Sequence, residues 1–331
     1  MMTDRVKTDI VRKRIEREMD IWIVQKQMIV IFVLILIGVY LYKSRHLSND
    51  SSRQLSWLIV NITNPITLLC AALSEEEKVT PGEVGLSLLC FVIMYVILIL
   101  ISYLLPVLLG VAEDRRYAYR MLCIFGNVGF IGIPFATAVL GTSSLIFVSL
   151  CGLTFNMIFY TYGIAVIRKT AAKQHPEEGA GPDHSIKNVI NSGTVMAIVT
   201  VIVYLADLKV PDMVRQTFNY IGNCTTFLSM VVLGVSVAQM VPREVFTRWR
   251  LYVFVVIRQI LVPVLLIFIM RPFIENRLIL STVAVMSAMP AANLPLMMAK
   301  QCSVKEDMIS AGIILTTVAS IVTIPVVMFF L

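Results

Sequence analysis

Apolar runs of about twenty residues, separated by short polar stretches, repeat along this chain from residue 21 to its end. A helix needs about 20 apolar residues to cross the ~30 Å hydrocarbon layer, and the pattern yields ten such runs. They fall at about 21–42, 55–73, 84–109, 117–140, 143–167, 188–206, 216–239, 251–270, 278–299 and 306–330. These predict an all-α polytopic membrane protein. A transmembrane β-barrel would show short alternating segments instead. Two of the runs carry residues that oppose a continuous helix. The fourth contains Phe125-Gly126-Asn127-Val128-Gly129-Phe130-Ile131-Gly132-Ile133-Pro134, and the ninth contains Met289-Pro290-Ala291-Ala292-Asn293-Leu294-Pro295. Within a helix glycine costs about 1 kcal/mol against alanine and proline about 3. In hydrocarbon no water satisfies the freed backbone groups, so such a break persists only inside protein or beside a wet cavity. Paired interruptions in corresponding positions of two halves point to a transporter's binding site.

Composition fits the pattern: 58% of residues are hydrophobic, 15% are charged, and mean hydropathy is +0.83. The net charge of +7 does not imply nucleic acid, because the basic residues cluster in short loops beside the spans. The face after the odd-numbered runs holds fifteen Lys/Arg, counting Arg120 at the start of the fourth run, and the opposite face holds six, counting Lys26 at the start of the first. By the positive-inside rule the 168–187 linker is cytoplasmic and both termini are external in a multi-pass cell-membrane protein. Six basic residues within 1–18 break that rule. One reading makes Met19 the true start, and the other leaves an ordinary polar tail over 1–20. Nothing in that stretch resembles a cleavable signal peptide. Six scattered cysteines, with no CxxC pair or histidine cluster, favour neither disulfides nor a metal site, and no cofactor is expected.

The linker divides the runs into 21–167 and 188–331, five in each half. An odd number per half inverts the second half, so a repeat predicts ten helices as two inverted five-helix units with discontinuous helices 4 and 9. Placing Pro134 over Pro295, an offset of 161 residues, aligns the two breaks.

The two motifs, with Gly141 after the first and Lys300, Asp307, Ser310 and Gly312 after the second, resemble the crossover helices of the auxin efflux carrier family. The resemblance runs from Met19 to Leu331. It implies the crossing-helix fold of the sodium–bile-acid symporters, a homodimer, and carriage of organic anions. Gly126, where plant exporters have proline, and the short linker favour the bacterial branch of malate and malonate permeases.

The residues themselves suggest a site. Half-helix N-termini expose N–H groups and a positive dipole end, a setting for a carboxylate. Gly126, Gly129 and Gly132 would let backbone approach a ligand, and Pro134, Pro290 and Pro295 would shape the breaks. Pro134 and Pro295 are expected in the first turn of each second half-helix. Asn127 and Asn293 would hold the substrate or cap the helices. Asn61 and Asn64 could line the same cavity or bond between helices, and Asn156 and Tyr160 are weaker candidates. Arg258, the one deep cation, would be a substrate or gating residue, or snorkel to the interface. No carboxylate lies within the spans except at their ends, which argues against an acidic proton relay. Sodium coupling and uniport both remain. The leading expectation is a secondary carrier for a small organic anion. An anion channel or a non-transporting receptor is the alternative, and an enzyme finds no acid pair, nucleophile set or metal cluster to support it.

Overall fold

The computed structural model describes residues 2–73, 80–174, 192–206, 208, 210–239, 249–305 and 307–331. The acidic run Glu75–Glu77 and the linker beyond Gln174 lie outside these residues. Among the described residues the chain is helical, and its only strand-like feature is a single antiparallel bridge between Gly126 and Ala291.

Six helices are long and apolar enough to cross a membrane: Val24–Lys43, Pro81–Leu108, Thr142–Gln174, Asp212–Gln239, Trp249–Met270 and Asp307–Met328. They match expected runs one, three, five, seven, eight and ten. The first belongs to a helix that begins at Met2, so the polar tail continues the span without a turn. The other four runs are shorter or more polar. The second is Asn49–Ala72, helical throughout but rich in polar residues. The sixth is Ser192–Leu205. The fourth divides into Glu113–Ile124 and Val128–Leu140, and the ninth into Arg277–Ala288 and Leu294–Gln301. Both expected interruptions are present.

Three of the four wide π turns among the described residues have a common cause; the fourth, Phe159–Gly163, precedes no proline. Ile59–Thr63, Val128–Gly132 and Ile257–Leu261 each end one residue before an X-Pro pair, at Pro65, Pro134 and Pro263. In each, the residue before the proline donates its N–H to the carbonyl five positions back: Asn64 to Ile59, Ile133 to Val128, and Val262 to Ile257. Proline has no N–H and its ring crowds the carbonyl four residues earlier. One widened turn relieves the crowding without breaking the helix.

The segments pack in a regular scheme. The first lies along the seventh and the second along the sixth. The third meets the fourth and fifth, while the eighth meets the ninth and tenth. The fifth contacts the sixth and the tenth contacts the first; the fourth touches the tenth and the ninth touches the fifth. Contact between the first and seventh is closest where Gly38 faces Val231 and Gly234 faces Ile35, with backbone against backbone. Small residues permit that approach in membrane helices.

The second and seventh segments are also joined by polar groups. Thr67 Oγ1 lies 2.8 Å from Thr225 Oγ1 and 3.2 Å from the Gly222 carbonyl, all buried. Interhelical hydrogen bonds in membrane proteins contribute about 0.6 kcal/mol on average. Thr225→Val is therefore expected to lower stability by about 1 kcal/mol or less, read as a small fall in the thermal midpoint of detergent-purified protein.

Candidate functional site

The interrupted fourth and ninth segments lie side by side at their breaks. Asn127 N donates to Pro290 O at 2.7 Å, and Ala292 N donates to Phe125 O at 2.9 Å. This two-rung antiparallel ladder satisfies groups that no helix reaches. Four further donors are also met: Phe125 N by Met121 O, Val128 N by Gly126 O, Met289 N by Met286 O, and Ala291 N by Thr316 Oγ1 at 3.1 Å. Such pairing is what allows a break to persist at membrane depth.

The two rungs exchange under a local two-fold rotation that superposes position 126 on 291, an offset of 165 residues. Aligning Pro134 with Pro295 gave 161. The four-residue difference arises because Pro134 is not at the break. The second half of the fourth segment begins at Val128, and Pro134 sits behind its π turn. Pro295, by contrast, is the second residue of Leu294–Gln301, where a missing N–H has little consequence.

A cavity of about 1130 Å³ opens beside the crossing. The first turns of both second half-helices line it, through Val128, Gly129 and Phe130 and through Leu294, Leu296 and Met297. Asn61, Asn64, Asn127, Gly129 and Asn293 all face it, as do Asn156 and Tyr160. The sequence-predicted Gly132, Pro134, Pro290, Pro295 and Arg258 are not among its lining residues. At one end the cavity reaches Arg53, Gln239, Lys305 and Asp307, at segment ends on the face where Lys/Arg are enriched.

Asn127 is 3% exposed. Its Oδ1 accepts from Phe130 N at 3.1 Å and so caps the turn that begins the half-helix. Its buried Nδ2 has no protein partner, and neither does Oδ1 of Asn64 or Asn293. A buried, unmatched donor or acceptor costs about 1–3 kcal/mol, so three on one cavity wall form a set suited to a polar guest. Asn64 is close to the π turn: a Cβ added to Gly129 would lie 3.5 Å from its Nδ2. Asn61 bonds back to Trp57 O at 2.9 Å and makes a further interaction. The glycines are less constrained than expected. A Cβ at Gly126 or Gly129 would meet only ordinary contacts, and at Gly132 the nearest atom is the flexible Met286 Sδ at 3.1 Å.

Arg258 is buried, and its guanidinium donates from Nε to Cys123 O and from Nη1 to Ser287 O. Beside it, Gln259 Nε2 donates to Thr316 O at 3.0 Å. Thr316 Oγ1 bonds back along its helix to Gly312 O, as threonines in helices commonly do, and also receives Ala291 N. Nothing in the sequence pattern distinguishes that second role. Arg53 and Lys305 were visible as loop charges but not as cavity residues.

Helices that break in pairs around a polar-ended cavity define a polytopic membrane protein of the transporter class. Consistent with that, residues 23–328 match the membrane transport protein family, and the chain belongs to it. The chain is also similar to an uncharacterized transporter of Methanocaldococcus jannaschii, 23% identical over 311 residues that cover 89% of this chain and 95% of that protein.

Proposed function

We propose that the protein is a secondary carrier for a small organic anion, held by its carboxylate where the fourth and ninth segments cross. The observation that carries this reading is the meeting of two half-helix N-termini on one cavity wall with the unmatched Nδ2 of Asn127. A helix N-terminus acts as roughly +0.5 elementary charge, and the walls bring no carboxylate except Asp307 at the open end. Apolar contacts from Phe130, Phe155 and Leu296 suit the body of an organic acid better than an inorganic ion.

The fold behind this reading is ten spans in two inverted halves. Its support is that the contacts described above map onto one another when segments one to five exchange with six to ten, although others, such as the third with the ninth and the second with the fifth, have no equally extensive counterpart among the described residues. The exchange of the two crossing hydrogen bonds is a second support. With the Lys/Arg-rich face cytoplasmic, the cavity opens inward, and Arg53 and Lys305 at its mouth draw anions toward it. The resemblance to malate and malonate permeases makes dicarboxylates the first substrates to try.

The test is a thermal-shift screen of purified protein against malate, malonate and indole-3-acetate, with and without sodium. A rise in midpoint with at least one acid, saturating with concentration, is the expected result. A sodium requirement for that rise would select symport. No rise with any carboxylate, or an equal rise with uncharged analogues, would overturn the anion reading.

A further inference from the structure

Without Arg258 the helix-dipole charges at the crossing sum to about zero. Four half-helix ends converge there. The two first halves end at Ile124 and Ala288 with their last carbonyls toward the crossing, and the two second halves begin at Val128 and Leu294. Each C-terminal end carries about −0.5 of an elementary charge and each N-terminal end about +0.5. The four sum to about zero, so the two N-termini on the cavity wall attract an anion locally but with no net charge behind them.

Arg258 changes that sum. It donates to Cys123 O and Ser287 O, one carbonyl in the last turn of each first half, where no helical N–H is available. Among the described residues its side chain is in no ion pair; the pairs present, Arg53 with Asp50, Lys173 with Glu113 and Arg215 with Asp212, are all elsewhere. A fully buried cation with only carbonyl partners is costly to insert. Its planar fork is nonetheless the geometry that reaches two separate acceptors at once.

We infer that Arg258 is the positioning residue of the crossing: it ties the two first half-helices together from behind and leaves the site with about one unit of positive charge for a monoanionic group. It does so without touching the guest, since it is not on the cavity wall. Gln259 and Thr316 extend the tie to the ninth segment, through Thr316 O and through Ala291 N. The charge part of this inference rests on the anion reading above, whereas the tie does not.

Two measurements on Arg258→Met and Arg258→Lys separate the parts. Hydrogen exchange followed by mass spectrometry reads the tie without any substrate. Arg258→Met is expected to speed exchange at least tenfold over 121–128 and 286–293 while leaving the first and seventh segments unchanged, with Arg258→Lys in between. Unchanged exchange at the crossing, or acceleration spread evenly over the protein, would overturn the tie. If Arg258→Met does not accumulate, Arg258→Lys decides alone, since exchange there matching the wild type would show that the two-pronged contact is dispensable. The thermal-shift panel of malate, malonate and indole-3-acetate reads the charge. An acid that shifts the wild type should shift Arg258→Lys and fail to shift Arg258→Met; an equal shift in Arg258→Met would overturn the charge role. Should none of the acids shift the wild type, the anion reading and the charge role fall together, and the exchange result still judges the tie.

Discussion

Asn127→Asp is expected to abolish anion uptake while leaving the protein folded. The two roles of Asn127 lie on different atoms. Oδ1 caps the turn at Phe130 N, and Nδ2 is the donor left for a ligand. Aspartate has the same shape, caps as well as asparagine, and places its charge at the favourable end of the half-helix dipole. The cap is therefore kept. The donor, however, becomes an acceptor, and a hydrogen bond to a charged group is worth about 1.5–3 kcal/mol. A carboxylate about 4 Å from a bound anion adds repulsion of about 4 kcal/mol at an effective dielectric of 20. Together these predict a loss of affinity on the order of ten-thousandfold or more. Binding by isothermal calorimetry, beside an unchanged thermal midpoint without ligand, checks both halves. Asn127→Ala is the complementary variant and should lose about 1 kcal/mol of stability with the cap. If Asn127→Asp binds as the wild type does, the asparagine only caps.

Gly234→Ala should be among the most damaging single-methyl substitutions in the chain. An added Cβ would overlap the Ile35 carbonyl oxygen and lie 2.8 Å from both Gly38 Cα and Val39 N. All three are backbone atoms of the first segment, so no rotamer change relieves the contact. Gly38→Ala meets the same obstacle at Val231, where the Cα would be 2.9 Å away. Overpacking within a rigid core costs about 1–3 kcal/mol. Here the two longest-packed helices must also separate and lose dispersion contacts along their seam. A loss of about 3 kcal/mol or more is expected, seen as a large drop in the monodisperse fraction after detergent extraction. Gly129→Ala is the control: its Cβ has room beside Asn64, and it should extract normally. Equal behaviour of the two variants would contradict the close packing of the first and seventh segments.

The breaks were legible because glycine, asparagine and proline in the middle of an apolar run conflict with the helix around them. Their register was not. Proline drew the alignment to Pro134, but a π turn absorbs that proline and the chain breaks seven residues earlier, at Asn127. The spacing of Asn64-Pro65, Ile133-Pro134 and Val262-Pro263 now explains a widened turn before each. Arg258 was legible as a costly charge that needs a partner. That its partners are backbone carbonyls of two other segments was not, since a carbonyl carries no residue-type signal. Thr316 shows the same limit: its hydroxyl bonds back along its helix as its type predicts, and tertiary packing alone brings Ala291 N to it. Asn64 and Asn127, read from polar type within apolar runs, do share one cavity. Gly38 and Gly234 gave no distinguishing signal, because glycine in a membrane helix marks a break, a bend or a contact equally well.

The account rests on the crossing as the place where a negative charge is carried through the protein. Transient currents from proteoliposomes on a solid-supported membrane, after concentration jumps of malate, malonate and indole-3-acetate, test that most directly. The expected result is a current that saturates with concentration for at least one acid in the wild type and vanishes in Asn127→Asp. A current that rises linearly without saturation, or one of equal size in Asn127→Asp, would contradict it.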